Sequence, residues 1–256
     1  MVDFSFFGLV NRAKGNLTEL LPILCTKLRS SVMNPKVLVG CPTSEHKKYC
    51  LKEYADAVHA IDYNNFDVLI VDNSENDAYL AQIKQLGLNA VKGKWFPGAR
   101  DRIVHSRNLL KDYALKNDYD YLLSLEQDVI PEQGIIKNLV SHEKKIVSGV
   151  VMNNLSVGNI VVMMPMAYVS HKLDPTGLDY ISREELNKPQ LIEIKGCALA
   201  CVLIHKSVLS KINFRYTGGF DDMIFCKDAI DAGFKIFLDT EVKPKHLPGS
   251  WAGIEK

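Results

Sequence analysis

From residue 36 onward the chain alternates short apolar runs with longer amphipathic stretches. Lys36-Val-Leu-Val-Gly40 reads as a buried strand, ended by Cys41-Pro42-Thr43. Ser44 stands where an N-cap belongs, ahead of a helix running to about Ile61. Phe66-Asp-Val-Leu-Ile-Val71 is a second buried strand, followed by Asp72-Asn73-Ser74. The pattern then predicts a helix near 77–86, a weak strand near 89–92 and a long helix from about 101 to 116. Tyr119-Asp-Tyr-Leu-Leu-Ser-Leu125 is another strand, closed by Glu126-Gln127-Asp128.

Strands separated by helices of this length predict an α/β fold with a mixed, mainly parallel sheet. In open sheets of that kind, ligands gather at the carboxyl ends of the strands. Pro42/Thr43, Asp72/Asn73 and Glu126/Asp128 all fall there. The second half is less regular. Lys145–Val151 and Ile160–Met164 read as strands, 170–190 as a polar loop region, and Ile194–Ile204 as one apolar strand before a helix at 206–212. A helix from Asp221 to Ala232 leads through Gly233 into the strand Phe234–Leu238. No linker or repeat divides 34–256, which reads as a single domain with a first half (34–130) and a second half (131–256) sharing one core.

Composition narrows the function classes. Of 256 residues, 47% are hydrophobic, and 31 basic side chains face 30 acidic ones. That excludes disorder and argues against a partner bound by phosphate neutralisation, so no nucleic acid is expected. Six cysteines without a CxxC pair read as small buried residues of a reducing compartment. Asp3, and the lack of a basic residue before Arg12, spoil a signal peptide. The expectation is a cytoplasmic protein. Residues 1–33 form an amphipathic extension interrupted by Pro22; it predicts a helix on the main domain, an oligomer contact or a peripheral membrane anchor.

The chemistry centres on Glu126-Gln127-Asp128. Alternation along an extended backbone puts Glu126 and Asp128 on one side, where two carboxylates can hold a hard divalent ion. The alternative is a solvated acidic turn before Pro131. Asp221-Asp222 could equally be two acids complementing a helix N-terminus. Arg107 could pair with Asp101, Asp112 or Asp118, and Trp95 reads as core. No GxGxxG or P-loop is present.

The run Asp120-Tyr-Leu-Leu-Ser-Leu-Glu-Gln-Asp128 resembles the acidic strand end of GT-A glycosyltransferases, with ExD for the usual DxD. More of the chain agrees. Lys36–Thr43 with Phe66–Ser74 is similar to that family's opening nucleotide-binding unit, and Ser106-Arg-Asn-Leu-Leu to its arginine-asparagine helix. Gly196–Val208 resembles the acceptor-side segment, and Gly219-Phe-Asp-Asp-Met-Ile-Phe-Cys226 with Gly233–Asp239 the xED helix and following strand. The resemblance covers about 36–250 and is nearest to the inverting family 2 enzymes.

This resemblance implies roles for individual residues. Pro42 and Thr43 would lie near the nucleotide and Asp72 would contact the base of a nucleotide sugar. Arg107 would sit near the ribose or diphosphate. Glu126 would sit near the ribose or metal, Asp128 would bind Mn2+ or Mg2+, and His246 would complete the coordination. Asp222 would be the general base, with Asp221 beside it in place of the commoner Glu. The implied activity is metal-dependent transfer of a sugar from a nucleoside-diphosphate sugar to a glycan, lipid-linked or protein hydroxyl. The halves 34–130 and 131–256 would serve donor and acceptor. A pocket holding Glu126, Asp128 and Asp222 would repel a diphosphate until a divalent cation arrives. The rivals are a nucleotidyltransferase, whose Gly-rich basic loop is missing at Cys41-Pro-Thr-Ser-Glu-His46, and a non-catalytic nucleotide-sugar or glycan-binding module.

Overall fold

The computed structural model describes residues 34–157, 160–174, 177–247 and 249. The readings of 1–33 lie outside the described residues. Pro35–Lys256 forms one compact unit. Its first half runs β1 (Val37–Thr43), a 3-10 turn (Glu45–Cys50), α1 (Leu51–His59), β2 (Phe66–Asp72), α2 (Ala78–Gln85), β3 (Ala90–Lys92), α3 (Ala99–Lys116), β4 (Tyr121–Leu125), β5 (Val129–Ile130) and α4 (Ile135–Ser141). The second half continues with β6 (Ile146–Gly149), β7 (Met152–Val157), β8 (Ile160–Pro165), β9 (Ala167–Ser170), β10 (Leu178–Tyr180), α5 (Arg183–Leu186), β11 (Leu191–Ile194), β12 (Gly196–Cys197), β13 (Cys201–His205), α6 (Lys206–Leu209), α7 (Asp221–Asp231), β14 (Ile236–Asp239) and β15 (Lys245–His246).

Eight strands make the central sheet, in the order β11-β14-β6-β13-β4-β1-β2-β3. β1 lies between β2 and β4 and is parallel to both, with Thr43 opposite Asp72. β13 inserts antiparallel between β4 and β6, and β11 caps β14 antiparallel. The alternation of β1 explains the layers. Val37, Val39 and Cys41 join the core beneath α1, α2 and α4, while Leu38 joins the core shared with α3 and α7. Gly40 faces α3, where a Cβ would lie 2.7 Å from Leu122 Cδ1 and 3.2 Å from Leu110. A larger residue there would push the helix off the sheet. Parallel β1, β2 and β4 therefore end on one edge and deliver their polar carboxyl ends together.

Four expectations change. β1 runs on through Pro42 to Thr43; pairing with β4 stops at Gly40, so the missing Pro42 N–H falls beyond that ladder. Ser44 makes no side-chain cap; Ser74 Oγ instead accepts from Glu45 N (2.8 Å). The apolar run 194–204 is not one strand. It breaks into the end of β11, then β12 and β13, because β12 peels away to pair with β9 and pack on α7. Within 170–190, β10 and α5 form, the latter under a Ser182–Glu185 capping box. No helix among the described residues is long and apolar enough to cross a membrane.

Candidate functional site

β4 ends at Leu125, and the acidic tripeptide is a turn rather than extended backbone. Glu126 N donates to Ala200 O (3.0 Å), and Val129 N donates to Glu126 O (2.9 Å). The turn, not strand alternation, brings the two acids together. Gln127 faces the other way and is buried (1% exposed). Its Nε2 donates to Lys47 O (2.6 Å), and its Oε1 accepts from Thr43 Oγ1 (2.6 Å) and Tyr79 OH (2.8 Å). One amide thus pins the turn to β1, to α2 and to the 3-10 turn.

The acids meet cations supplied by the chain itself. Lys47 Nζ lies 2.8 Å from Glu126 Oε2 and 2.7 Å from Asp128 Oδ1. Arg107 Nη2 donates to Glu126 Oε1 (2.6 Å), while Nη1 donates to Ser124 Oγ (2.8 Å). Arg107 Nε also stands 2.8 Å from Asp221 Oδ2, but no hydrogen bond is aligned there, so charge alone couples those atoms. Arg107 therefore pairs with none of Asp101, Asp112 and Asp118. Burial alone would raise the carboxyls of Glu126 and Asp128. Lys47 with Arg107 at Glu126, and His246 with Lys47 at Asp128, outweigh it and hold both below their usual values. The expectation of an uncompensated acidic pocket is corrected, because Lys47 and Arg107 already sit on it.

His246 reaches the turn through β15, which pairs antiparallel with β5 so that His246 stands opposite Val129. Leu247 N donates to Asp128 O (2.7 Å), tightening the approach. His246 Nδ1 is hydrogen-bonded to Met152 O (2.6 Å), which leaves Nε2 facing Asp128 Oδ2 at 3.6 Å. Burial would lower the imidazole pKa, but Asp128 and the Met152 carbonyl raise it. Among the described residues no group of three His, Cys, Asp or Glu forms a ready metal cluster. Both Glu126 oxygens are engaged by cations. The pair with atoms turned to one another is Asp128 Oδ2 and His246 Nε2: a hard oxygen and an imidazole nitrogen fixed from behind by a carbonyl. Those two atoms could contribute two ligands to a divalent ion that accepts both oxygen and imidazole, such as Mn2+, the remaining positions falling to water or substrate phosphate; an all-oxygen ion such as Mg2+ fits them less well.

A small cleft of about 60 Å3 opens beside the turn, lined by Pro42, Thr43, Lys47, Asn73, Arg102, Glu126 and Asp128 among others. Asp72 lies behind its wall, fully buried. Its Oδ1 accepts from Ser74 N (2.9 Å) and Ser74 Oγ (2.5 Å), and its Oδ2 pairs with Lys92 (3.1 Å). Asn73, not Asp72, reaches the cleft. Asp221 and Asp222 open α7 on the far side of Arg107. Asp222 Oδ1 accepts from Met223 N (2.7 Å), and burial, reinforced by the Asp221 charge, pushes its pKa up to about 6. Trp95 is 40% exposed rather than core, lying in the segment between β3 and α3.

Three residues were not anticipated: Lys47, Gln127 and Arg102. Arg102 is buried at the first turn of α3 and donates to the Phe96 and Pro97 carbonyls, with no acidic partner among the described residues. A helix start that carries Arg at its fourth residue, after a Gly and without an acidic cap, is the signal that could have found it.

No protein-family model matches the sequence, and no curated protein matches it. Solved structures do. The mannosyltransferase PcManGT from Pyrobaculum calidifontis, in complex with GDP-Man and Mn2+, aligns over 92% of this chain at TM-score 0.56 and 16% identity. GalNAc-T7 with UDP, GalNAc and Mn2+ aligns over 85% at TM-score 0.62 and 11% identity. S. aureus TarS 1-349 with UDP-GlcNAc aligns over 84% at TM-score 0.51 and 15% identity. The chain has the GT-A fold. It spans 66%, 44% and 60%, respectively, of the chains it resembles, and identities this low speak for the GT-A architecture alone. Within the GT-A fold, the cleft lies at the carboxyl edge of β1, β2 and β4, where the polar ends of the parallel strands converge.

Proposed function

We propose that this chain is a metal-dependent, inverting glycosyltransferase of the family 2 type, moving a hexose from a nucleoside-diphosphate sugar to a hydroxyl acceptor. The acceptor is a glycan, a lipid-linked sugar or a protein side chain. The observation that carries this reading is the meeting of His246, at 3.6 Å, with Asp128, 118 positions away in sequence and part of the cleft lining. A divalent ion held there would neutralise charge developing on the diphosphate leaving group. The GDP-Man and Mn2+ in PcManGT, and the UDP and Mn2+ in GalNAc-T7, support the same chemistry for this site.

The chain's own residues supply the rest. Pro42, Thr43 and Asn73 line the nucleotide side of the cleft, with Asp72 bracing the loop from behind. Arg102, a buried cation with no acidic partner among the described residues, faces the cleft where the donor's phosphates would lie. Arg107 holds Glu126 and Asp221, which leaves Asp222 as the acid not bound to a cation. With a pKa near 6, Asp222 is ionised at neutral pH yet more basic than an exposed carboxylate. It takes the proton from the acceptor hydroxyl as the oxygen attacks the anomeric carbon, and a single displacement inverts that centre.

A panel of nucleotide sugars with Mn2+ tests the reading by thermal stabilisation. A true donor at a hundred times its Kd adds about 2.7 kcal/mol. That gain should vanish in Asp128→Asn, and Asp222→Asn should keep donor binding while losing transfer. A panel in which no nucleotide sugar stabilises the chain or is turned over refutes the assignment.

A further inference from the structure

The acidic turn is already occupied by an ammonium group. Lys47 is 16% exposed and contacts both motif carboxylates. Its position is fixed at both ends. Asp72 holds Ser74, and Ser74 Oγ accepts from Glu45 N at the start of the 3-10 turn. Gln127 Nε2 grips the Lys47 carbonyl from the opposite side. A lysine on a polar surface turn would be expected to point into water. Here the backbone is anchored so that the side chain folds back onto the acids.

That geometry conflicts with simple metal entry. An ammonium and a divalent ion cannot both lie within contact of Asp128 without strong repulsion in a partly desolvated site. We propose that Lys47 is a tethered competitor of the divalent cation: it closes the Glu126–Asp128 pair in the free protein, and an incoming ion displaces it from Asp128 into the adjoining cleft. Lys47 lines that cleft, so the flexible four-carbon stem has somewhere to go. The proposal rests on the reading of Asp128 as the metal-binding carboxylate. It goes further in making cation affinity a property of Lys47, with the ion bound weakly until the lysine moves.

The test uses Mn2+ alone, without nucleotide, and reads free Mn2+ by electron paramagnetic resonance. Lys47→Met should bind Mn2+ at least tenfold more tightly than the wild type, while Lys47→Arg, which keeps the charge, should not. Equal affinity in the wild type and Lys47→Met, no binding in either, or an equal gain in Lys47→Arg overturns the proposal. Should Lys47→Met fail to fold, acylation of the wild-type full chain decides. Lys47 should be protected without metal and label several-fold faster with saturating Mn2+, and unchanged labelling overturns the competition. Because neither readout contains a donor, the outcome is separable from the glycosyltransferase reading, which stands or falls with the nucleotide-sugar panel.

Discussion

Arg107 Nε stands 2.8 Å from Asp221 Oδ2 while its Nη2 donates to Glu126 Oε1, so one buried guanidinium joins the acid after β4 to the acid that opens α7. Two motifs separated by almost a hundred residues therefore share a counter-ion. Removing it leaves Asp221 without a counter-ion and Glu126 with Lys47 alone, and breaking a buried pair costs about 3–5 kcal/mol. Arg107→Met should lose stability of that order in urea unfolding. Arg107→Lys should recover only part of it, since an ammonium cannot reach Ser124, Glu126 and Asp221 from one planar fork. A loss below about 1 kcal/mol in Arg107→Met would show that the acids find other partners.

Asp222 links stability and activity in opposite directions. Its carboxyl is raised to about 6 in the folded chain, mainly by burial, against an ordinary value of 3.8. Between those values the folded state binds more protons than the unfolded one, so stability falls as pH rises through the window. The penalty is complete above pH 6 and absent below about pH 4. Asp222→Asn removes it, and should stabilise the protein by about 3 kcal/mol at pH 8 but not at pH 4. Transfer by the wild type should decline as pH drops below 6, as the base becomes protonated. A variant no more stable than the wild type at pH 8 would contradict this account.

The sheet was legible because β1, β4 and the second half of β2 are buried and carry apolar runs (Val37–Val39, Tyr121–Leu123, Leu69–Val71) with polar residues at their carboxyl ends. Glu126 and Asp128 were read from their place at the end of β4 and His246 only through the resemblance, and the structure brings all three around one turn. Lys47 was not legible. Glu45-His46-Lys47-Lys48 offers two adjacent lysines, and only the long-range hold of Ser74 and Gln127 selects the one that turns inward. Asp72 shows a related point: a carboxylate at a strand end can face a ligand or brace its own loop, and here it holds Ser74 N and Oγ. The short α5 did carry a local signal, the Ser182-x-x-Glu185 box, inside a stretch that otherwise read as polar loop.

His246 depends on its Met152 contact for orientation. With Nδ1 engaged by a carbonyl, the ring presents Nε2 to Asp128. His246→Ala should weaken Mn2+ binding on the order of tenfold or more. His246→Phe, which keeps ring volume without a nitrogen, should fail equally. Both should cost about 1–3 kcal/mol in unfolding, because the ring is mostly buried (13% exposed) and its loss leaves the Met152 carbonyl without that partner. Mn2+ affinity unchanged in both variants would remove His246 from the site.

Gln127 is the residue on which the acidic turn is mounted, and it touches no predicted ligand. Gln127→Leu matches its bulk but leaves the Thr43 hydroxyl, the Tyr79 hydroxyl and the Lys47 carbonyl without their partner. An unsatisfied buried polar group costs about 1–3 kcal/mol. With partial rescue by water, the total loss should be on the order of 3 kcal/mol, read as a fall of several degrees in Tm. Gln127→Glu is the sharper variant. It keeps an acceptor for both hydroxyls, but sets a carboxylate against the Lys47 carbonyl and adds a third acid to the pair that Lys47 holds. Its stability should fall as pH rises past the carboxylate range, whereas the loss in Gln127→Leu should not vary with pH. If both variants unfold like the wild type, the turn is held by its backbone bonds to Ala200 and Leu247 instead, and Gln127 merely fills space.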